Sequence, residues 1–135
     1  SNVTKRTNLS ITVNCDEKII LNSYPGVFSQ IISNLVLNSI RHAYCEKNEK
    51  GELKIDVVKQ NNILNLTYQD DGCGVPKENL EKIFEPFFTT NRGKGGTGLG
   101  LNIVFNIIYN ILKGTIHCES EGGNGTKFII VIPIL

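Results

Sequence analysis

Residues 84–97 (FEPFFTTNRGKGGT) carry three glycines and no apolar period, yet they lie between stretches that read as regular structure. A compact domain rarely holds an irregular segment this long unless the segment has a task of its own. The rest of the chain must therefore supply a rigid frame around it. Residues 9–15 (LSITVNC), 52–59 (ELKIDVVK) and 63–69 (ILNLTYQ) alternate apolar and polar side chains as half-buried strands do, and Gln60-Asn61-Asn62 joins the last two as a hairpin. Residues 18–23 (KIILNS) read as a partner strand for 9–15 across Asp16-Glu17. Residues 114–120 and 126–132 read as a final pair around Gly122-Gly123-Asn124-Gly125. Residues 26–44 and 98–112 repeat at helical spacing, and a short helix fits Pro76 to Ile83. Six strands, mostly in local hairpins, with two long helices predict an α+β fold. It is a two-layer α/β sandwich whose mixed, mostly antiparallel sheet is covered on one face by helices.

A chain of 135 residues allows one domain, taken as 8–135, with 1–7 as a linker opened by the remnant-like Ser1-Asn2. The net charge of +1 gives no electrostatic case for nucleic acid or an anionic membrane surface. No apolar run approaches the roughly 20 residues of a bilayer span, and no signal peptide is visible. Cys15, Cys45, Cys73 and Cys118 show no C-x-x-C spacing, and His42 and His117 are the only histidines. That argues against a zinc site or a disulfide framework and for four reduced thiols in the cytoplasm.

Three features carry chemistry. On a helix turning about 100° per residue, Gln30, Asn38 and Arg41 fall within about 40° of Asn34. Phe28, Ile32, Leu35 and Ala43 point to the opposite side or its flank, and Val27, Ile31 and Leu37 border the stripe. A solvated face would more often use Glu and Lys than Asn, so a narrow stripe at the mouth of a cleft competes with that plain reading. Carboxamide oxygens suit magnesium, and a guanidinium suits phosphate.

The second feature is DDGCGVP, residues 70–76. Asp-Gly is a common turn, but Gly72 and Gly74 also let a ligand approach the backbone while Asp70 accepts its N–H donors. An adenine amino group is such a donor, whereas guanine presents a carbonyl at that edge. The third is the set of glycines at 93, 95, 96, 98 and 100, with Lys94 and Thr97 between them, ahead of a helix whose first-turn N–H groups attract anions. Residues 93–98 also fit G-x-G-x-x-G, but no buried apolar strand precedes them, which speaks against a dinucleotide fingerprint. No glycine-rich run ends in Gly-Lys-Ser or Gly-Lys-Thr, so a Walker A loop is excluded.

In this order, NLVLNSIRHA, DDGCGVP, FEPFFTT, GGTGLGL and GGNGTKF resemble the N box, first glycine box, F box, second glycine box and closing Gly-x-Gly-Thr element of a known family. It is the catalytic ATP-binding domain of sensor histidine kinases, in the superfamily shared with gyrase, heat-shock chaperones and mismatch-repair ATPases. The resemblance runs from about residue 8 to 133 and implies a Bergerat-type fold. It implies that Asp70 bonds the adenine amino group, with Gly72 and Gly74 shaping the wall, Val75 also binding the nucleotide and Thr126 packing nearby through water. It implies that Asn38 holds magnesium beside Asn34, that Arg41 touches phosphate or ribose, and that His42 lines the nucleotide. Residues from about Val75 to Thr97 would form a mobile lid, anchored by Phe84, Phe87 and Phe88. Gly96, Thr97, Gly98, Leu99 and Gly100 would cradle the phosphates, with Lys94, Gly95 and Phe88 also among the nucleotide-binding residues.

The chain departs from the pattern at two places. Asn91-Arg92 follows FEPFFTT where related kinases commonly have Lys, and Ser39 replaces the second N-box alanine, a change expected to be neutral. In the superfamily's ATP-driven clamps a Glu stands at the position of Asn34 and activates water. A carboxamide is no general base near neutral pH, which suits phosphoryl transfer, a reaction that depends on positioning and charge neutralisation. The resemblance thus implies Mg-ATP binding and transfer of the γ-phosphoryl group to a histidine on a separate dimerisation domain, and onward to a response regulator. Neither His42 nor His117 stands in a phosphoacceptor setting. The alternative is a nucleotide-binding regulatory module or ATPase-type switch without transfer. The resemblance further implies a cytoplasmic domain with no direct membrane contact, in a parent that is soluble or anchored in the plasma membrane.

Overall fold

The computed structural model describes residues 8–15, 25–43, 50–88, 99–120 and 124–134. Strands β1 (Asn8–Asn14), β2 (Lys50–Gln60), β3 (Ile63–Asp70), β4 (Thr115–Ser120) and β5 (Thr126–Pro133) form one sheet in the order β1-β2-β3-β5-β4. The β2–β3 hairpin closes at Gln60 and Ile63 through Asn61, whose φ of 56° is one that asparagine tolerates. The β3–β5 and β4–β5 pairings are antiparallel as well. The sheet is therefore mixed and mostly antiparallel, as expected.

The period of two decides which side chains enter the core. Leu53, Ile55 and Val57 of β2 point inward with Leu64, Leu66 and Tyr68 of β3 and Phe128, Ile130 and Ile132 of β5. Two helical segments cover that face. Helix α1 (Pro25–Asn38) contributes Phe28, Ile31 and Leu35, and helix α2 (Gly100–Asn106) contributes Leu101 and Val104. Each helix ends in a π-helical turn, Ser39–Ala43 after α1 and Ile107–Ile111 after α2. No helix among the described residues is long and apolar enough to cross a membrane.

Four details differ from the sequence reading. Strand β1 pairs in parallel with β2, with α1 as the crossover; the partner strand expected at 18–23 lies outside the described residues. Ile31, expected at the border of the polar stripe, is fully buried in the core. The helix expected over 76–83 shrinks to a 3-10 turn, Lys77–Asn79, followed by irregular turns. Leu80 and Ile83 are its only large apolar side chains, too few to repay the nucleation of a longer helix. Of the three phenylalanines expected to anchor the lid, Phe84 packs against Phe105 and Phe128, and Phe88 also packs on the core. Phe87 lies outside that core: it is 60% exposed and its φ is 66°.

Candidate functional site

Helices α1 and α2 pack side by side, and the start of α2 meets the polar stripe of α1 at close range. A Cβ added at Gly100 would come 3.6 Å from Asn34 Oδ1. Between them lies a cleft of about 230 Å³ bordered by Asn34, Asn38, Arg41 and His42 on one side and Leu99 and Gly100 on the other. Ile83 and Phe88 close one wall. Asn34, Asn38 and Arg41 of the stripe thus border a cleft, whereas Gln30 is exposed and lies outside its lining. The π turn after Asn38 widens the helix where Arg41 and His42 both reach the cleft.

Within the stripe, the Asn34 side-chain N–H donates to the Gln30 carbonyl (2.9 Å). Burial, reinforced by the charge of Arg41, holds the His42 imidazole below its usual pKa and so neutral near pH 7. The first helical hydrogen bond of α2 runs from the Ile103 N–H to the Leu99 carbonyl (2.9 Å), so the amides of Gly100, Leu101 and Asn102 precede the ladder. Hard carboxamide oxygens, a guanidinium and first-turn amides are a donor set for a phosphate chain carrying a hard cation. Among the described residues no cluster of three His, Cys, Asp or Glu could cage a metal by itself.

Asp70 lies in a second, buried cluster and does not border this cleft. It occupies the last inward position of β3, in the same row as Leu64, Leu66 and Tyr68, and faces Thr126 across the ladder. Its Oδ1 accepts the N–H groups of Gly72 and Thr126, each at 3.1 Å, and its Oδ2 accepts the Ser39 hydroxyl at 3.0 Å. Burial pushes the carboxyl pKa up, and these three donors oppose the shift. Gly74 takes a φ of 81°, which lets the turn double back. The Val75 N–H donates to Ser120 Oγ (2.7 Å), and the Cys73 thiol donates to the His42 carbonyl (3.2 Å). The turn is therefore tied both to β4 and to the end of the α1 region.

Of the residues singled out from the sequence, Asn34, Asn38, Arg41, His42, Phe88, Leu99 and Gly100 share the cleft. Asp70, Gly72 and Thr126 share the buried cluster, with Gly74 and Val75 in the turn beside it. Thr126 meets Asp70 through its backbone N–H, while its hydroxyl faces Ser120 (3.4 Å). Lys94, Gly95, Gly96, Thr97 and Gly98 lie outside the described residues. Two residues of the site were not foreseen. Ser120 joins the Val75 N–H to the Gly125 carbonyl. Ser39, expected to be neutral, is fully buried and bonds both Asp70 and the Tyr68 hydroxyl (2.8 Å). The only signal for Ser39 was a polar residue on the core side of α1. Of the cysteines, Cys118 is buried on the inner face of β4, which pushes its thiol up to about 12, a value reinforced by the charge of Asp70.

Comparison with known proteins converges on one family. The sequence model described as "Histidine kinase-, DNA gyrase B-, and HSP90-like ATPase" matches residues 25–135. The chain is 36% identical to the sensor kinase CckA of Brucella abortus over 121 residues, 82% of this chain and 13% of that protein. It is 31% identical to a probable C4-dicarboxylate sensor kinase of Bacillus subtilis over 139 residues, 99% of this chain and 26% of that one. It thus spans only 13% and 26% of these relatives' own lengths. Its fold is similar to the solved catalytic domain of the histidine kinase ThkA, with a TM-score of 0.72 at 28% identity, covering 98% of this chain and 82% of that one.

Proposed function

Because the chain belongs to the family of histidine kinase-, DNA gyrase B- and HSP90-like ATPases, we propose that it is the ATP-binding catalytic unit of a sensor kinase. In this reading it holds Mg-ATP and presents the γ-phosphoryl group to a histidine on a separate dimerisation domain, from which a response regulator receives it. The relatives that it matches are sensor kinases of several times its length. Asp70 accepts the adenine amino group; Asn38, beside Asn34, offers its carboxamide oxygen to magnesium; Arg41 faces the phosphates. The magnesium ion supplies charge neutralisation, and the hard oxygens of the cleft fit it.

The single observation that supports transfer over hydrolysis is the state of Asn34. Its amide donates to the Gln30 carbonyl, and a carboxamide takes up no proton near neutral pH. The residue beside the magnesium position therefore lacks a base to activate water, while transfer needs only alignment. Neither histidine of the chain fits the acceptor role. His42 borders the cleft itself, and His117 is exposed on β4, with its Nε2 3.9 Å from Glu119.

The test has two parts. A fluorescent ATP analogue is titrated against the wild type and Asp70→Asn, with ATP and GTP as competitors. Loss of a hydrogen bond to the buried carboxylate should weaken ATP by about 1.5–3 kcal/mol, and GTP should compete poorly with the wild type. The chain is then mixed with a dimerisation domain from a related kinase and radiolabelled ATP. Label on the added domain's histidine supports transfer. Tight ATP binding with steady phosphate release and no label would favour the ATPase-type switch.

A further inference from the structure

The proton count around Asp70 leaves little freedom. An ionised carboxylate only accepts, and its two oxygens offer about four lone-pair positions. Two on Oδ1 are taken by the Gly72 and Thr126 N–H groups, and one on Oδ2 by Ser39. Ser39 has a single proton and spends it on Asp70, so the 2.8 Å contact with Tyr68 must be donated by the phenol. Burial raises the Tyr68 pKa, which keeps that proton in place. The phenol is itself enclosed: Tyr68 is fully buried, and its ring lies 6.2 Å from that of Phe128. A directed chain therefore runs from the Tyr68 O–H to the Ser39 O–H to Asp70 Oδ2, and it leaves one lone pair on Oδ2.

We propose that Ser39 is a specificity-setting positioning residue, whose hydroxyl, held by Tyr68, turns the Asp70 carboxylate so that the one remaining lone pair on Oδ2 accepts the exocyclic amino group of adenine. The proposal rests on the adenine reading above and adds to it the groups that orient the acceptor. Ser39 follows Asn38 directly, so one turn of backbone carries both the residue offered to magnesium and the residue that aims the base-reading carboxylate. A serine that only satisfied a buried acceptor would stabilise the fold without distinguishing one base from another.

The experiment compares ATP with purine riboside triphosphate, which lacks only the 6-amino group, as ligands of the whole chain. Calorimetric titrations are run on the wild type, Ser39→Ala and Tyr68→Phe, with thermal melts alongside. Wild type should prefer ATP. Ser39→Ala should weaken ATP by roughly three- to tenfold while leaving purine riboside triphosphate within about twofold. Tyr68→Phe, which spares the bond from Ser39 to Asp70, should move the same way by about two- to threefold. Equal losses for both ligands in Ser39→Ala, or no loss for either, would overturn the role of Ser39. Should Ser39→Ala fail to fold, an unchanged preference in Tyr68→Phe overturns it instead. A wild type with no preference for ATP overturns the adenine reading itself, and the role of Ser39 with it. An intact wild-type preference that persists in Ser39→Ala defeats only the latter.

Discussion

Gly125 stands directly against the Asp70 carbonyl, so close that a Cβ at position 125 would overlap the oxygen and come 3.1 Å from Asp71 Cα. Its φ of +82° is also one that L side chains rarely adopt. The close approach follows from the β3–β5 register, which sets Asp70 opposite Thr126, the next residue. Gly125→Ala should therefore destabilise the fold by about 2 kcal/mol or more. Because the Thr126 N–H would shift away from Asp70, nucleotide affinity should fall as well. Urea unfolding and ATP titration of the same variant check both halves; an unchanged midpoint would contradict the close approach.

The two asparagines of the cleft should separate in function. In Asn38→Ala, the ratio of ATP affinities measured with and without magnesium should fall toward unity. Asn34→Glu places a carboxylate where the carboxamide now donates to Gln30, and steady ATP hydrolysis should rise above the wild-type rate. Phosphate release and binding with and without a chelator are the measurements. Retained magnesium dependence in Asn38→Ala would remove that residue from the metal site.

His42 predicts a pH dependence of stability. The unfolded imidazole takes up a proton near pH 6.5, but burial and Arg41 hold the folded one lower. Between the two values the unfolded state binds more protons. The contribution of His42 is thus complete above about pH 6.5 and is lost as the pH falls through the folded pKa. Melting curves between pH 7.5 and about 5 should show this loss in the wild type, and a shallower slope in His42→Gln.

The F-box phenylalanines should respond unequally. Phe84 is wedged between Phe105 and Phe128, with ring centroids at 5.6 and 6.2 Å. Phe84→Ala should cost about 3 kcal/mol. Phe87 is largely exposed and holds a positive φ. Phe87→Gly relieves the backbone and should change stability by less than about 1 kcal/mol. Chemical denaturation of the two variants side by side is sufficient.

The buried position of Asp70 was legible in the alternation of residues 63–70, where every second residue is Leu64, Leu66, Tyr68 and Asp70. The polar stripe of α1 was legible from helical spacing, because Asn34, Asn38 and Arg41 needed only a periodic count to be placed together. The contacts of Ser39 are not legible in the sequence because its partners lie on a strand: only the packing of the helical layer on β3 brings its hydroxyl to Tyr68 and Asp70. The parallel pairing of β1 was not foreseen, since alternation identifies a strand without naming its neighbour. The π turns were hidden for a similar reason. Residues 39–43 and 107–111 keep a helical composition, and the extra residue per turn arises where the helix meets its surroundings.

The crossover from β1 to β2 also orders the assembly of the domain in time. The β2–β3 hairpin needs only a two-residue closure and forms early, whereas β1 must wait for a partner 42 positions away, where the Asn14 amide meets the Asp56 carboxylate. Beyond β1 the sheet has no further strand among the described residues, and Ile11 and Val13 are more than half exposed. Such a strand, last to dock and lightly packed, is the first to let go in local opening. Amide protons of β1 should thus exchange well before those of β3 and β5, and the domain would unravel from its leading strand while the hairpin that carries Asp70 stays closed.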